Sequence, residues 1–259
     1  MPYNMKTIIK YVLLDLLRNK TILVYTFILA VLAVSVLSMS GNSSKGLLSL
    51  LNITLLFVPI ISILFATIYF FNSVEFTELL LAQPIKRKAM ILAEYIGVAF
   101  ALSIAYLVGV GLPSVLLNYS LASLTLIISG VLLTLIFTAL SLLIFVLFKD
   151  KTKGIGAAII TALFFTLLFD GLLLSFIYSF SDYPIDKPLL GFISLNPVDL
   201  GRILVLLQLD VAVMMGYSGA LFKEFMGSAI GSIYSIACMT LWISLPLVTS
   251  VRKFRKKDL

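Results

Sequence analysis

Apolar residues do not alternate with polar ones along most of this chain; they run on in long stretches, break at a few polar positions and resume. Six such runs lie at 22–39, 47–71, 91–112, 121–148, 155–180 and 226–248. A helix rises about 1.5 Å per residue and the hydrocarbon of a bilayer is about 30 Å thick, so about 20 apolar residues suffice to cross it. Strands of a membrane barrel would alternate apolar and polar positions over about ten residues, whereas these runs are apolar on every side. The pattern predicts an all-α integral membrane protein with six transmembrane helices in one domain spanning residues 1–259. The second, fourth and fifth runs exceed the minimum length, which allows tilt and fixes no angle.

Composition agrees: 61% of the 259 residues are hydrophobic, 12% are charged, and the mean hydropathy is +1.15. A soluble domain needs more polar residues to cover its surface. Charge then orients the helices. With six crossings both ends of the chain share one side, and that side collects 15 of the 19 basic residues, among them Lys6, Arg18, Lys86, Arg87, Lys88, Lys149, Lys151 and Arg252. The other side holds Lys45, Lys187, Arg202 and Lys223. Positive charge gathers on the cytoplasmic side of membrane proteins, so the termini and the loops near positions 86 and 151 are expected in the cytoplasm. The net charge of +7 is then accounted for by topology and anionic lipid, with no nucleic-acid partner. Residues 6–20 read as an amphipathic basic lead-in, and the first run lacks a cleavage pattern, so it is expected to remain as a helix.

The chain has no histidine, which removes the histidine-based zinc sites, activated nucleophiles and haem ligation schemes. Its one cysteine, Cys238, lies within the last run and reads as a small core residue. No G-x-x-x-x-G-K-[ST] phosphate loop occurs. No catalytic residue, metal site or bound cofactor is expected, and any uphill work must draw on a separate ATPase or an ion gradient.

Two polar segments carry information. Between the second and third runs, Asn72 or Ser73 is placed to cap a short helix with Glu75 in its first turn, where the helix dipole favours acid. Phe76, Leu79 and Leu80 fall at i, i+3, i+4 while Glu75, Glu78 and Gln83 take other faces, and Pro84 ends the pattern before Lys86, Arg87 and Lys88. This elbow is either an interfacial helix lying among the headgroups or a peg that docks into a soluble partner. Between the fifth and sixth runs, Asn196 reads as a helix cap, Pro197 as the first helical residue and Asp199 as first-turn acid. Leu200, Ile203, Leu204 and Leu207 make one stripe, and Asp199 is spaced to pair with Arg202. This predicts an amphipathic helix that rests on the outer membrane face or braces the last span.

Asp170 reads as the one carboxylate inside a span. An acid at the bilayer centre costs about 2.5–3.5 kcal/mol, so it is expected to find a Tyr or Ser on a neighbouring helix, or to serve a substrate or proton path. Small residues recur every fourth position at Gly97, Ala101, Ala105 and Gly109, at Gly154, Ala158 and Ala162, and at Gly227, Gly231 and Ser235. Such stripes predict close helix packing and are compatible with a dimer. Met214 and Met215 are soft donors in principle, but adjacent residues on a helix face different ways, and core packing is the plainer role. Few polar groups line any span, so no substrate-selecting residue stands out.

Six helices with cytoplasmic ends, an elbow before the third span and a structured outer segment before the last resemble the type-2 ABC permeases over the whole chain. The stretches Glu78-Leu79-Leu80-Leu81-Ala82-Gln83-Pro84-Ile85-Lys86-Arg87, Ser194-Leu195-Asn196-Pro197-Val198-Asp199 with Arg202, and Met215-Gly216-Tyr217-Ser218-Gly219-Ala220 are similar to signature stretches of the NosY-type permeases. Ser73-Val74-Glu75-Phe76-Thr77-Glu78 stands where other type-2 permeases carry an acidic-Arg-x-x-Gly-Thr stretch. The resemblance implies a permease homodimer bound to two cytoplasmic ATPase subunits through Glu75, Phe76, Glu78, Leu79, Leu80, Gln83, Pro84, Lys86 and Arg87. It implies a periplasmic accessory repeat protein at the outer segment, and a role in maturing the copper sites of nitrous oxide reductase, by copper delivery or export of a sulfur species. The alternatives are a type-2 permease for gliding motility, drug or lipid export, a gradient-driven transporter using Asp170, and a membrane scaffold. Inverted-repeat transporters break helices at matching positions of two halves, and the outer segment has no counterpart after the second run.

Overall fold

The computed structural model describes residues 5–81, 87–180, 186–209 and 216–254. Every regular element among the described residues is helical: α1 (Met5–Leu17), α2 (Lys20–Met39), α3 (Ser43–Asn72), α4 (Val74–Leu81), α5 (Arg87–Tyr106), α6 (Leu112–Leu117), α7 (Leu121–Leu147), α8 (Lys151–Leu163), α9 (Phe169–Ser179), α10 (Asp186–Ser194), α11 (Pro197–Leu206) and α12 (Gly216–Phe254). A π-helical turn, Leu107–Gly111, joins α5 to α6, and a second, Phe164–Leu168, joins α8 to α9. Six helices among the described residues are long and apolar enough to cross a membrane: Lys20–Met39, Ser43–Asn72, Arg87–Leu117, Leu121–Leu147, Lys151–Ser179 and Ala229–Phe254.

The short polar breaks between apolar runs act as caps. The Asn19 side chain accepts from Thr21 N (2.8 Å), that of Asn42 from Ser44 N (3.0 Å) and that of Asp150 from Thr152 N (2.8 Å). Ser120 and Ser123 cap the start of α7 reciprocally. Each satisfies backbone donors that a new helix leaves open, so the chain can turn and re-enter within a few residues.

Helix α7 is central, packed by α3, α5, α11 and α12. Its Gly130 receives the ring of Tyr106, where a Cβ would lie 2.1 Å from Cζ, and the Tyr106 hydroxyl donates to the Leu126 carbonyl at 3.1 Å. The lead-in forms α1, with Ile8, Val12 and Leu16 buried at i, i+4, i+8 and Lys10 and Tyr11 exposed. It lies along α5, where Val12 sits over Gly97. The small-residue stripes of the third and fifth spans are buried, Gly109 against Leu29 of α2 and Gly154 against the Phe71 ring. In lipid, where apolar side chains gain little by leaving the acyl chains, such close contact supplies the association energy. The interior also holds more hydroxyls than the hydropathy pattern suggested: Thr54, Ser62, Thr67, Thr134, Thr138 and Ser141 are buried on α3 and α7, with Thr67 and Ser141 2.9 Å apart.

The segment before the last span departs from expectation. Rather than one amphipathic helix on the outer face, α10 and α11 meet at 109°. Their junction reaches into the bundle: the Asn196 amide donates to the Phe165 carbonyl (3.1 Å) and the Trp242 indole N–H to the Ser194 carbonyl (3.1 Å). Phe165 and Trp242 both lie near the middle of their spans. From there α11 runs between α7 and α12 with Val198, Leu200, Ile203, Leu204, Val205 and Leu206 all buried. The physical reason is in its composition, because a helix that is apolar all round, as this one is outside Asp199 and Arg202, belongs in an interior. Bracing of the last span holds; the resting place on the outer surface does not.

Candidate functional site

At the end of the bundle where α3 finishes and α5 begins, α4 turns away after a single residue. The Ser73 amide closes α3 on the Tyr69 carbonyl (2.9 Å), and the Ser73 carbonyl opens α4 by accepting from Thr77 N (2.8 Å). Neither expected side-chain cap forms. Asn72 instead accepts from Lys151 Nζ at 2.7 Å, tying α3 to the start of the fifth span, and the Ser73 hydroxyl donates back to the Phe70 carbonyl at 3.2 Å. The turn is tight enough that the backbone of Ser73 does the joining, while its side chain turns back on α3 and that of Asn72 reaches across to the fifth span.

On α4, Glu75 lies in the first turn and is exposed with Glu78, while Phe76 is 44% and Leu79 70% exposed. Arg87 opens α5 on the same end of the bundle. The side chain of Leu80 and the residues Gln83, Pro84 and Lys86 lie outside the described residues, as do Met214 and Met215. Beside α4 is an open cleft of about 720 Å³, walled by Ile8, Tyr11 and Val12 of α1, Tyr69 of α3 and Phe76, with Asp15, Asn19 and Asn72 among its polar lining. A cleft with both apolar and polar lining, one wall of which is the exposed Phe76 of α4, is suited to receiving a protein element.

The inner face of α4 holds a residue that the hydropathy pattern passes over. Glu94 lies inside the third span and is 1% exposed, and its Oε1 accepts from the Thr77 hydroxyl at 2.6 Å. Asp170 is therefore not the one carboxylate within a span. The signal was present as a lone acid in the run 91–112, but pairing it with Thr77 requires the fold.

Around the α10–α11 junction the expected residues do meet. Asn196 accepts from Val198 N (3.0 Å) as the cap of α11 and donates to Asp199 Oδ2 (2.9 Å). Arg202 Nη1 donates to Asp199 Oδ1 at 2.9 Å, the predicted i, i+3 pair, and Nη2 donates to Asp170 Oδ2 at 3.0 Å. The partner of Asp170 is thus a guanidinium from α11, not a Tyr or Ser hydroxyl. Asn196 and Asp199 are buried, whereas the side chains of Arg202 and Asp170 are each about a third exposed. A π turn leaves some backbone carbonyls outside the regular ladder, and Phe165, within the second such turn, offers its carbonyl to Asn196. One short cluster therefore fixes α11 to the fifth span within its irregular turn and just beyond it. Among the described residues no group of His, Cys, Asp or Glu is arranged to hold a metal ion.

No protein-family model matches the chain. It is similar to two proteins named as probable ABC transporter permease protein NosY. That of Pseudomonas aeruginosa is 25% identical over 267 residues, covering 93% of this chain and 92% of its own length. That of Stutzerimonas stutzeri is 25% identical over 277 residues, covering 94% and 95%. With six apolar helices the chain is a multi-pass membrane protein, and along nearly its whole length it is similar to proteins named as ABC transporter permeases. Within that class its likeness is to the NosY-type permeases, at the level of the family.

Proposed function

We propose that this permease couples ATP hydrolysis on a cytoplasmic ATPase to export or delivery across the bacterial inner membrane, with the elbow from Glu75 to Arg87 as the docking element. The observation that carries this is the pair Phe76 and Leu79, exposed together on a short helix, with Phe76 lining an open cleft. An apolar pair at the centre of a protein contact contributes most of its affinity, while Glu75, Glu78 and Arg87 supply orientation and on-rate at its rim. Both chain ends lie on this side in the proposed topology. The permease works as a homodimer and meets a periplasmic accessory protein by its outer face, while Asn196, Pro197 and Asp199, buried in the bundle, serve packing instead of that contact.

The finer proposal, supported by likeness to proteins named NosY, is that the transporter serves the copper sites of nitrous oxide reductase. Two experiments separate the levels. Co-purification with a co-expressed candidate ATPase subunit tests docking: Phe76→Ala and Leu79→Ala are each expected to lower recovery of the ATPase at least tenfold, and undiminished recovery from both would overturn the elbow assignment. Deleting the gene and measuring the copper content of purified nitrous oxide reductase tests the substrate: a fully loaded enzyme would leave the ABC permease standing and remove the copper role. A gradient-driven mechanism through Asp170 is disfavoured by Arg202, which engages that carboxylate in an ion pair at 3.0 Å.

A further inference from the structure

The helix that carries Phe76 and Leu79 is only eight residues long, and a helix of that length is not stable by itself in water. Its orientation must come from contacts with the bundle. Those contacts are few: α4 touches α3, from which it continues, and α5. Of its residues with described side chains, Glu75, Phe76, Glu78 and Leu79 face outward, Val74 is half-buried and Thr77 alone is buried, at 0% exposure. The inward side of the elbow is therefore polar at its centre. Thr77 meets Glu94 of α5 at 2.6 Å, and the same hydroxyl lies 2.9 Å from the Ser73 carbonyl at the α3–α4 turn. Glu94 is almost completely buried, two turns into the third span. Burying a carboxyl there is costly, and Thr77 is its one described side-chain partner. The span that bears it is clamped on both sides, by α1 through Val12 on Gly97 and by α7 through the Tyr95 hydroxyl on the Leu135 carbonyl (3.2 Å).

We infer that Thr77 and Glu94 form the polar tether that sets the pose of the elbow and passes its displacement to the third span; both are positioning residues. Apolar packing lets a helix slide and re-pack, whereas a single short hydrogen bond inside an apolar shell defines one register and resists its loss. A push on Phe76 and Leu79 is thereby delivered to a fixed point on α5, close to the contact with α1, instead of being absorbed by rotation of α4. The inference about pose stands on the geometry alone; the part concerning transmission rests on the docking of an ATPase proposed above.

Hydrogen–deuterium exchange on the full-length chain in detergent, without ATPase, tests the tether. Thr77→Val keeps the shape and removes the donor, and Glu94→Met keeps the bulk and removes the acceptor. Each is expected to speed exchange of the amides at 77–81 by about tenfold while those of α7 keep their wild-type rates. Thr77→Ser and Glu94→Gln restore a donor or an acceptor and are expected to stay near wild type. Wild-type exchange at 77–81 in Thr77→Val, or equal acceleration throughout α7, would overturn the tether. In the purified complex, Thr77→Val is expected to retain the ATPase yet lose at least half of the permease-dependent stimulation of ATP hydrolysis. Full stimulation in that variant would overturn the transmission, whereas failure of the wild-type chain to retain any ATPase would overturn the docking proposal and leave the tether to the exchange data.

Discussion

Charged side chains in this bundle are placed so that none inside it lacks a countercharge or a donor among those described. Arg202 bridges Asp199, which is buried, and Asp170, which is partly exposed, and the two arms are unequal for that reason. Removing the guanidinium leaves a buried carboxylate without its counter-ion, and such losses run to about 3 kcal/mol or more. Removing the Asp170 charge leaves an amide oxygen that still accepts from Arg202, at a cost nearer about 1 kcal/mol given the exposure of the pair. Arg202→Ala is therefore expected to lower the melting temperature in detergent by several degrees more than Asp170→Asn. Equal shifts would mean that Asp170, not Asp199, is the partner that matters. Asp170 itself was legible from the sequence as an acid in an apolar run. Its partner was not, because Arg202 is 32 residues away and reaches it only through the fold-back of α11.

At the level of elements, the apolar runs and their polar breaks were readable because bilayer thickness fixes helix length and caps mark the starts. The Asn196-Pro197 start of α11 was readable on the same grounds, and Asn196 does cap it. Its depth was not, since a cap motif gives the position of a helix start in sequence and says nothing of where that start lies in the membrane. The clue lay in the residues between Leu200 and Leu207, apolar on nearly every face. Asn196 carries two duties at that depth, accepting from Val198 N and donating to the Phe165 carbonyl. Asn196→Ala removes both, together with the bond to Asp199, and with no water to replace them the cost is expected to exceed the usual figure of about 1 kcal/mol for a lost cap. Thermal unfolding in detergent checks this: a melting temperature within a degree of wild type would show that the α10–α11 junction is not held as described. The elbow was legible as a sticky face ended by proline, but its inward threonine and the glutamate below it were invisible to a hydropathy pattern. That pattern counts Glu94 as a single polar interruption.

For the whole molecule, six crossings, both ends on one side and an elbow on that same side form one connected claim. Composition and span count secure the first part, and the asymmetry of Lys and Arg argues the second. The proposed docking role of Phe76 and Leu79 depends on both, since an ATPase meets only cytoplasmic surface. Substrate choice was not legible, and the buried hydroxyls of α3 and α7 are mostly engaged with their own helix backbones or with each other, as Thr134, Thr138 and the Thr67–Ser141 pair illustrate. The most direct test is site-specific labelling in intact cells with a membrane-impermeant maleimide. In a Cys238→Ser background, Lys88→Cys marks the start of the third span and Tyr119→Cys the link between the third and fourth, and both positions are exposed. Labelling of Tyr119→Cys in intact cells, with Lys88→Cys labelled only after the membrane is opened, is the expected result. Labelling of Lys88→Cys from outside would put the elbow beyond the reach of any ATPase and contradict the account.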